Sequence, residues 1–148
     1  MSAEPAVAVS RSQNPVQEAS SREHRRRSPS SSDVVEHGFV TYSNEAKSEL
    51  LWVPVETIDA HGVVSNETAG AMAEGAVARA PVDLAISVIG VAGPRGGAAK
   101  PVGIVIFGLA RRDGPTRTEL HVFDGDRAAV RQAALRVALG LVAAKAHN

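Results

Sequence analysis

The chain has no cysteine among its 148 residues, which excludes disulfides, zinc ribbons, iron–sulfur ligation and a thiol nucleophile together. Aromatic side chains are scarce, with one Trp, one Tyr and three Phe, too few for a platform that stacks single-stranded nucleic acid. No apolar run approaches the ~18 residues of a membrane span. Neither sign of charge is in excess: 16 Lys plus Arg meet 16 Asp plus Glu, so no net field draws the molecule to nucleic acid or to an anionic bilayer. What is present suits one domain of common size with an Ala/Val/Gly-rich core.

A further lack divides the chain. Residues 1–32 contain no Leu, Ile, Phe, Tyr or Trp, and no glycine precedes Gly38. Their apolar content is Ala and Val near the start, as in Ala6-Val7-Ala8-Val9, while Ser20 to Ser32 is almost entirely Ser, Arg and Pro. A segment that cannot bury apolar area cannot offset its ordering entropy, so residues 1–32 are expected to be disordered. Glu4, Glu18 and Glu23 and the missing amphipathic face argue against an organelle transit peptide, and no apolar stretch serves as a secretory signal. The expected location is cytoplasmic. Arg25-Arg26-Arg27 reads as a solvated run rather than a phosphate contact, so nucleic acid is not an expected partner.

From Asp33 onward the texture is globular. Val34 to Tyr42 reads as a strand from its β-branched and aromatic residues. Ser43-Asn44-Glu45 offers a helix N-cap, with Ala46, Leu50 and Leu51 as the apolar face and Pro54 as the break. A second short helix stops at His61-Gly62, where His61 reads as a capping or packing residue rather than a catalyst. Ser65 with Thr68 opens an Ala-rich helix ended by Pro81. Val82 to Val91 is nearly continuously apolar, as in a strand covered on both faces. Val102 to Leu109 and Thr116 to Phe123, joined at Asp113-Gly114-Pro115, predict an antiparallel hairpin. Asp126 then caps a helix from Arg127 to about Ala146, with Val130, Ala134, Val137 and Leu141 at helical spacing. The order predicts an α/β fold, a three-layer α/β/α single domain with a mixed sheet over residues 33–148.

Residues 38–47, Gly-Phe-Val-Thr-Tyr-Ser-Asn-Glu-Ala-Lys, resemble the signature of the CinA C-terminal domain family, which includes the PncC-like nicotinamide-nucleotide amidohydrolases. The Ala60-His61-Gly62-Val63-Val64-Ser65 block, the loop from Gly90 to Gly97 with Lys100-Pro101-Val102-Gly103, and Phe123-x-Gly125-Asp126-Arg127 follow in the family's order. The resemblance implies hydrolysis of nicotinamide mononucleotide to nicotinate mononucleotide and ammonia, without metal or other cofactor. Splitting a carboxamide calls for a nucleophile, a base and donors for the oxyanion. By the resemblance, Lys47 is the base and Tyr42 assists proton transfer. A lysine serves as base only where its pKa is lowered. Read without the resemblance, Lys47 is a solvated helix residue and Tyr42 a strand aromatic. Gly93, Gly96 and Gly97 would let backbone N–H groups approach a substrate anion, or simply connect two strands. Arg127, with Arg131 one turn on, would hold a phosphate near a helix N-terminus or face solvent. Association into a homo-oligomer stays open.

One departure is decisive. The family's nucleophile is the serine of an Ala-Glu-Ser-Cys-Thr-Gly-Gly motif, and counting back from Ser31-Ser32-Asp33 lands near Asn14-Pro15-Val16-Gln17, which shares nothing with it. The family's first strand and following helix are expected to be missing as well. An abrupt switch near Ser30 is what a truncated start or an out-of-frame reading of a GC-rich gene would give. The serines of residues 20–32 lack a strand-to-helix turn to hold them in near-attack geometry, and Ser43 reads as a cap. The expectation is a family member without turnover, or a remnant that binds a pyridine mononucleotide or an intact subunit.

Overall fold

A computed structural model describes residues 6–10, 35–41, 43–90 and 103–146. Within them lie strands β1 (Ala6–Ser10), β2 (Val35–Val40), β3 (Leu84–Gly90), β4 (Ile104–Arg111) and β5 (Arg117–Val122). The helices are α1 (Asn44–Leu51), α2 (Val55–His61), α3 (Asn66–Arg79) and α4 (Arg127–Ala146). The strands form one sheet in the order β2-β1-β3-β4-β5. No described helix is long and apolar enough to cross a membrane.

β1 corrects one expectation. Residues 1–32 are not disordered throughout, because Ala6–Ser10 is a strand. Ala6 pairs with Val40 on one side and Val88 on the other, and Ser10 pairs with Val35 and Leu84. A strand with a neighbour on each side satisfies its backbone groups in both directions. The rest of 1–32 lies outside the described residues.

β1 also corrects the mixed sheet. All four pairings are antiparallel. β2 and β3 run in the same direction, as a strand–helix–strand connection requires, but β1 lies between them and runs against both. The ends of β2, β3 and β5 and the start of β4 therefore share one edge of the sheet.

The three layers form because the strands alternate. Ala85, Ile89, Ile104, Ile106 and Ala110 point to the face covered by α1, α2 and α3, where Leu51, Ile58, Ala69, Met72, Ala73 and Ala76 meet them. Leu84, Ile86, Val105, Phe107 and Leu109 point the other way, onto Val130, Ala134 and Ala138 of α4.

The helix ends follow the sequence closely. The Ser43 hydroxyl accepts from the Ala46 amide at 3.0 Å and the Ser65 hydroxyl from the Thr68 amide at 3.1 Å. Asp126 Oδ1 accepts from the Ala129 amide at 2.9 Å. Gly62 ends α2 at φ 84°, a left-handed value that glycine adopts without cost. At the C-terminal end of α3, Arg112 donates to the carbonyls of Val77, Ala80 and Val82 at 2.8–3.3 Å, tying the helix to the start of β3. Gly75 marks the tightest helix contact, since a Cβ there would overlap the Leu51 carbonyl oxygen at the end of α1.

Candidate active site

Lys47 is interior. Its side chain is 2% exposed, on the inward face of α1 with Leu51, whereas Leu50 is 39% exposed. The face expected from Ala46, Leu50 and Leu51 is thus rotated, and an amine-bearing side chain occupies the place of an aliphatic residue. The Nζ atom donates to the Thr41 carbonyl at 3.0 Å and lies 3.4 Å from the Ser43 carbonyl. Thr41 follows the end of β2 and Ser43 caps α1, so strand end and helix start together form the seat of the amine.

No carboxylate among the described residues forms an ion pair with Lys47. Burial lowers its pKa below that of an ordinary lysine, and the exposed Glu45 carboxylate pulls the other way without cancelling the shift. A neutral amine has two N–H bonds and one lone pair. With two carbonyls placed to take the N–H bonds, the lone pair is left to accept a proton.

Thr41 itself is fully buried, and its Oγ1 has no hydrogen-bond partner among the described residues. Sequence reasoning passed over it. The alternation of β2, carried one residue past Val40, would have placed Thr41 on the same face as Phe39, which packs against the α1–α3 core.

The other predicted residues divide by place. Tyr42, Gly93, Gly96 and Gly97 lie outside the described residues. Gly90 and Gly103, which bracket the glycine-rich loop, stand at the sheet edge where β2 leads into Thr41. Arg127 begins α4 just beyond the end of β5 and is exposed, as is Arg131. His61 is exposed in the last turn of α2, with Nδ1 3.8 Å from Glu67 Oε1. It lines an open groove of about 660 Å³ with Trp52, Glu67, Gly70 and Glu74, a groove that Lys47 does not line.

The described serines have structural hydrogen bonds. Ser48 donates to the Val53 carbonyl at 2.8 Å, Ser65 to that of Gly62 at 2.8 Å and Ser87 to that of Ala69 at 2.6 Å, while Ser43 caps α1. Ser10 pairs with Val35, at the far end of β2 from Thr41, and at ~3.3 Å per residue that separation is roughly 17–20 Å.

Comparison with known proteins identifies the family and the fold. Residues 24–146 match the CinA C-terminal domain, a match that starts upstream of the expected boundary at residue 33. The nicotinamide-nucleotide amidohydrolase PncC of Enterobacter agglomerans is 51% identical over 102 residues, covering 68% of this chain and 62% of that protein. A CinA-like protein of Leptospira biflexa is 44% identical over 106 residues, 71% of this chain but 25% of its own length. The chain therefore spans about a quarter of the longer relatives it matches. Among solved structures, the competence damage-inducible protein A of Klebsiella pneumoniae superposes with a TM-score of 0.67 at 40% identity, covering 71% of this chain and 65% of that one. With the signature on β2 and α1, the α/β layers and a match over most of its length, the chain belongs to the CinA C-terminal domain family.

Proposed function

We propose that the chain is a nicotinamide-mononucleotide-binding member of the family that keeps the amidohydrolase base but not its turnover. The observation that carries this reading is the buried Lys47 amine, held by two backbone carbonyls with its pKa lowered and no acid paired to it. Such an amine has one use that a surface lysine lacks, which is to take a proton from a neighbouring O–H and return it to a leaving group. In deamidation the leaving group is ammonia. The nucleophile would attack the carboxamide carbon and give its proton to Lys47 Nζ, and Nζ would pass that proton to the departing nitrogen. Tyr42 would assist the transfer. Gly93, Gly96 and Gly97 would face the phosphate or ribose, with Arg127 as a phosphate contact at the start of α4.

The 148 residues hold no Ala-Glu-Ser-Cys string to supply that nucleophile. Loss of a serine nucleophile leaves only ~10³–10⁴ over water from oxyanion donors and positioning, and less where the supporting turn is lost too. The reading is of a cytoplasmic protein with a small-molecule ligand, and it calls for neither nucleic acid nor membrane as a partner. Ammonia release from nicotinamide mononucleotide is the test. The expected result is no release above the uncatalysed rate, together with calorimetric binding that weakens in Lys47→Ala. Restoring an in-frame Glu-Ser-Cys-Thr-Gly-Gly segment with its strand and helix should restore release. Robust turnover that survives Ser→Ala changes throughout residues 1–32 would overturn the reading.

A further inference from the structure

Five polar or charged side chains are buried among the described residues: Thr41, Lys47, Ser65, Thr68 and Ser87. Four are paired. Lys47 donates to Thr41 O, Ser65 and Thr68 share the Gly62 carbonyl at 2.8 Å each, and Ser87 donates to Ala69 O. Thr41 is the exception, 0% exposed with Oγ1 unpartnered among the described residues. A buried hydroxyl without a partner costs more than an apolar group of the same shape. The free protein therefore carries a cost at this position that a bound polar group would remove.

The place of this hydroxyl says what kind of group that would be. The carbonyl of the same residue holds the Lys47 amine at 3.0 Å, so hydroxyl and amine hang from one backbone unit at the edge where β2 ends. A hydroxyl both donates and accepts, and beyond its two carbonyls the Lys47 amine has one site left, a third N–H when protonated or a lone pair when neutral. A primary carboxamide, with one carbonyl oxygen and two N–H donors, complements such a pair. We infer that the Thr41 hydroxyl is a ligand contact, positioned to hydrogen-bond the carboxamide of a small molecule bound beside Lys47. The inference rests on the ligand reading above and extends it to a residue outside the base and its assistant.

The test uses the full chain with Thr41→Val, which keeps the shape and removes the hydroxyl, and Thr41→Ser, which keeps the hydroxyl. Without ligand, T41V should melt at or above the wild-type temperature, by up to about 3 °C. Its calorimetric affinity for nicotinamide mononucleotide should fall about tenfold, the loss of one hydrogen bond, with T41S close to wild type. A T41V that melts lower than wild type, or fails to fold, overturns the inference, because the hydroxyl then has a partner inside the protein. Wild-type binding that T41V leaves unchanged overturns it as well. A wild type that does not bind nicotinamide mononucleotide while T41V gains stability would instead fault the choice of ligand. The contact is then tested with free nicotinamide: affinity lost in T41V and kept in T41S supports it, and no binding, or binding that T41V leaves unchanged, overturns it.

Discussion

Holding a lysine amine in the interior makes folding depend on pH. In the unfolded chain Lys47 keeps its proton up to about pH 10.4. In the folded chain burial brings the value down. Between the two values the unfolded state binds more protons, so stability rises with pH and is lost as pH falls toward the folded value, below which no more is lost. Lys47→Met has no proton to exchange. The wild type should therefore gain on K47M in melting temperature as pH climbs from neutral, and the gain should level off above about 10.4. A constant difference from pH 7 to 11 would mean that Lys47 titrates like a surface residue. None of this was legible from Lys47 and its neighbours alone, since a lysine after Asn-Glu-Ala reads as solvated. The ten-residue signature singled it out. Its burial depends on how α1 is seated, which the Leu51 backbone against Gly75 of α3 helps to fix, and no local pattern encodes that contact.

Elements were the most legible level, because capping chemistry is local. Ser43, Ser65 and Asp126 sit where the sequence places them, each accepting from a backbone N–H three residues on. The hairpin β4–β5 likewise follows from its turn residues. β1 was missed for the opposite reason. Its five residues form a strand through partners at Val35–Val40 and Leu84–Val88, and a run of Ala and Val carries no sign of such distant pairing. Two helical glycines make a matched test of how contact overrides propensity. Gly140 is exposed on α4 with nothing near its missing Cβ, so Gly140→Ala should stabilise by about 0.5–1 kcal/mol. Gly75→Ala has the same propensity gain but drives a methyl into the Leu51 carbonyl, and should cost about 1–3 kcal/mol or more. Urea unfolding of the two variants beside wild type would show opposite signs.

For the whole molecule, layers and core position were readable from alternation and helical spacing, whereas strand order was not. That order makes β1 the join. β2 reaches the rest of the sheet only through it, since β2 pairs with β1 and β1 with β3. Deleting residues 1–10 should leave β3 with an open edge and β2 without its ladder. Hydrogen exchange should then quicken across Val35–Val40, while β4 and β5 keep their protection, and unchanged exchange in β2 would show that β1 is dispensable.

The same join has a consequence in time. On a ribosome β1 is made first, yet its inner neighbour, β3, begins at Leu84. At about 5–20 residues per second, the ~75 residues between them take roughly 4–15 s. Throughout that interval the nascent chain holds a central strand with one of its two partners not yet in existence. Once Gly90 has been made both neighbours of β1 exist, whereas the β4–β5 hairpin begins only at Ile104, so β1 waits on β3 alone and the hairpin adds to a ladder whose other strands are already present.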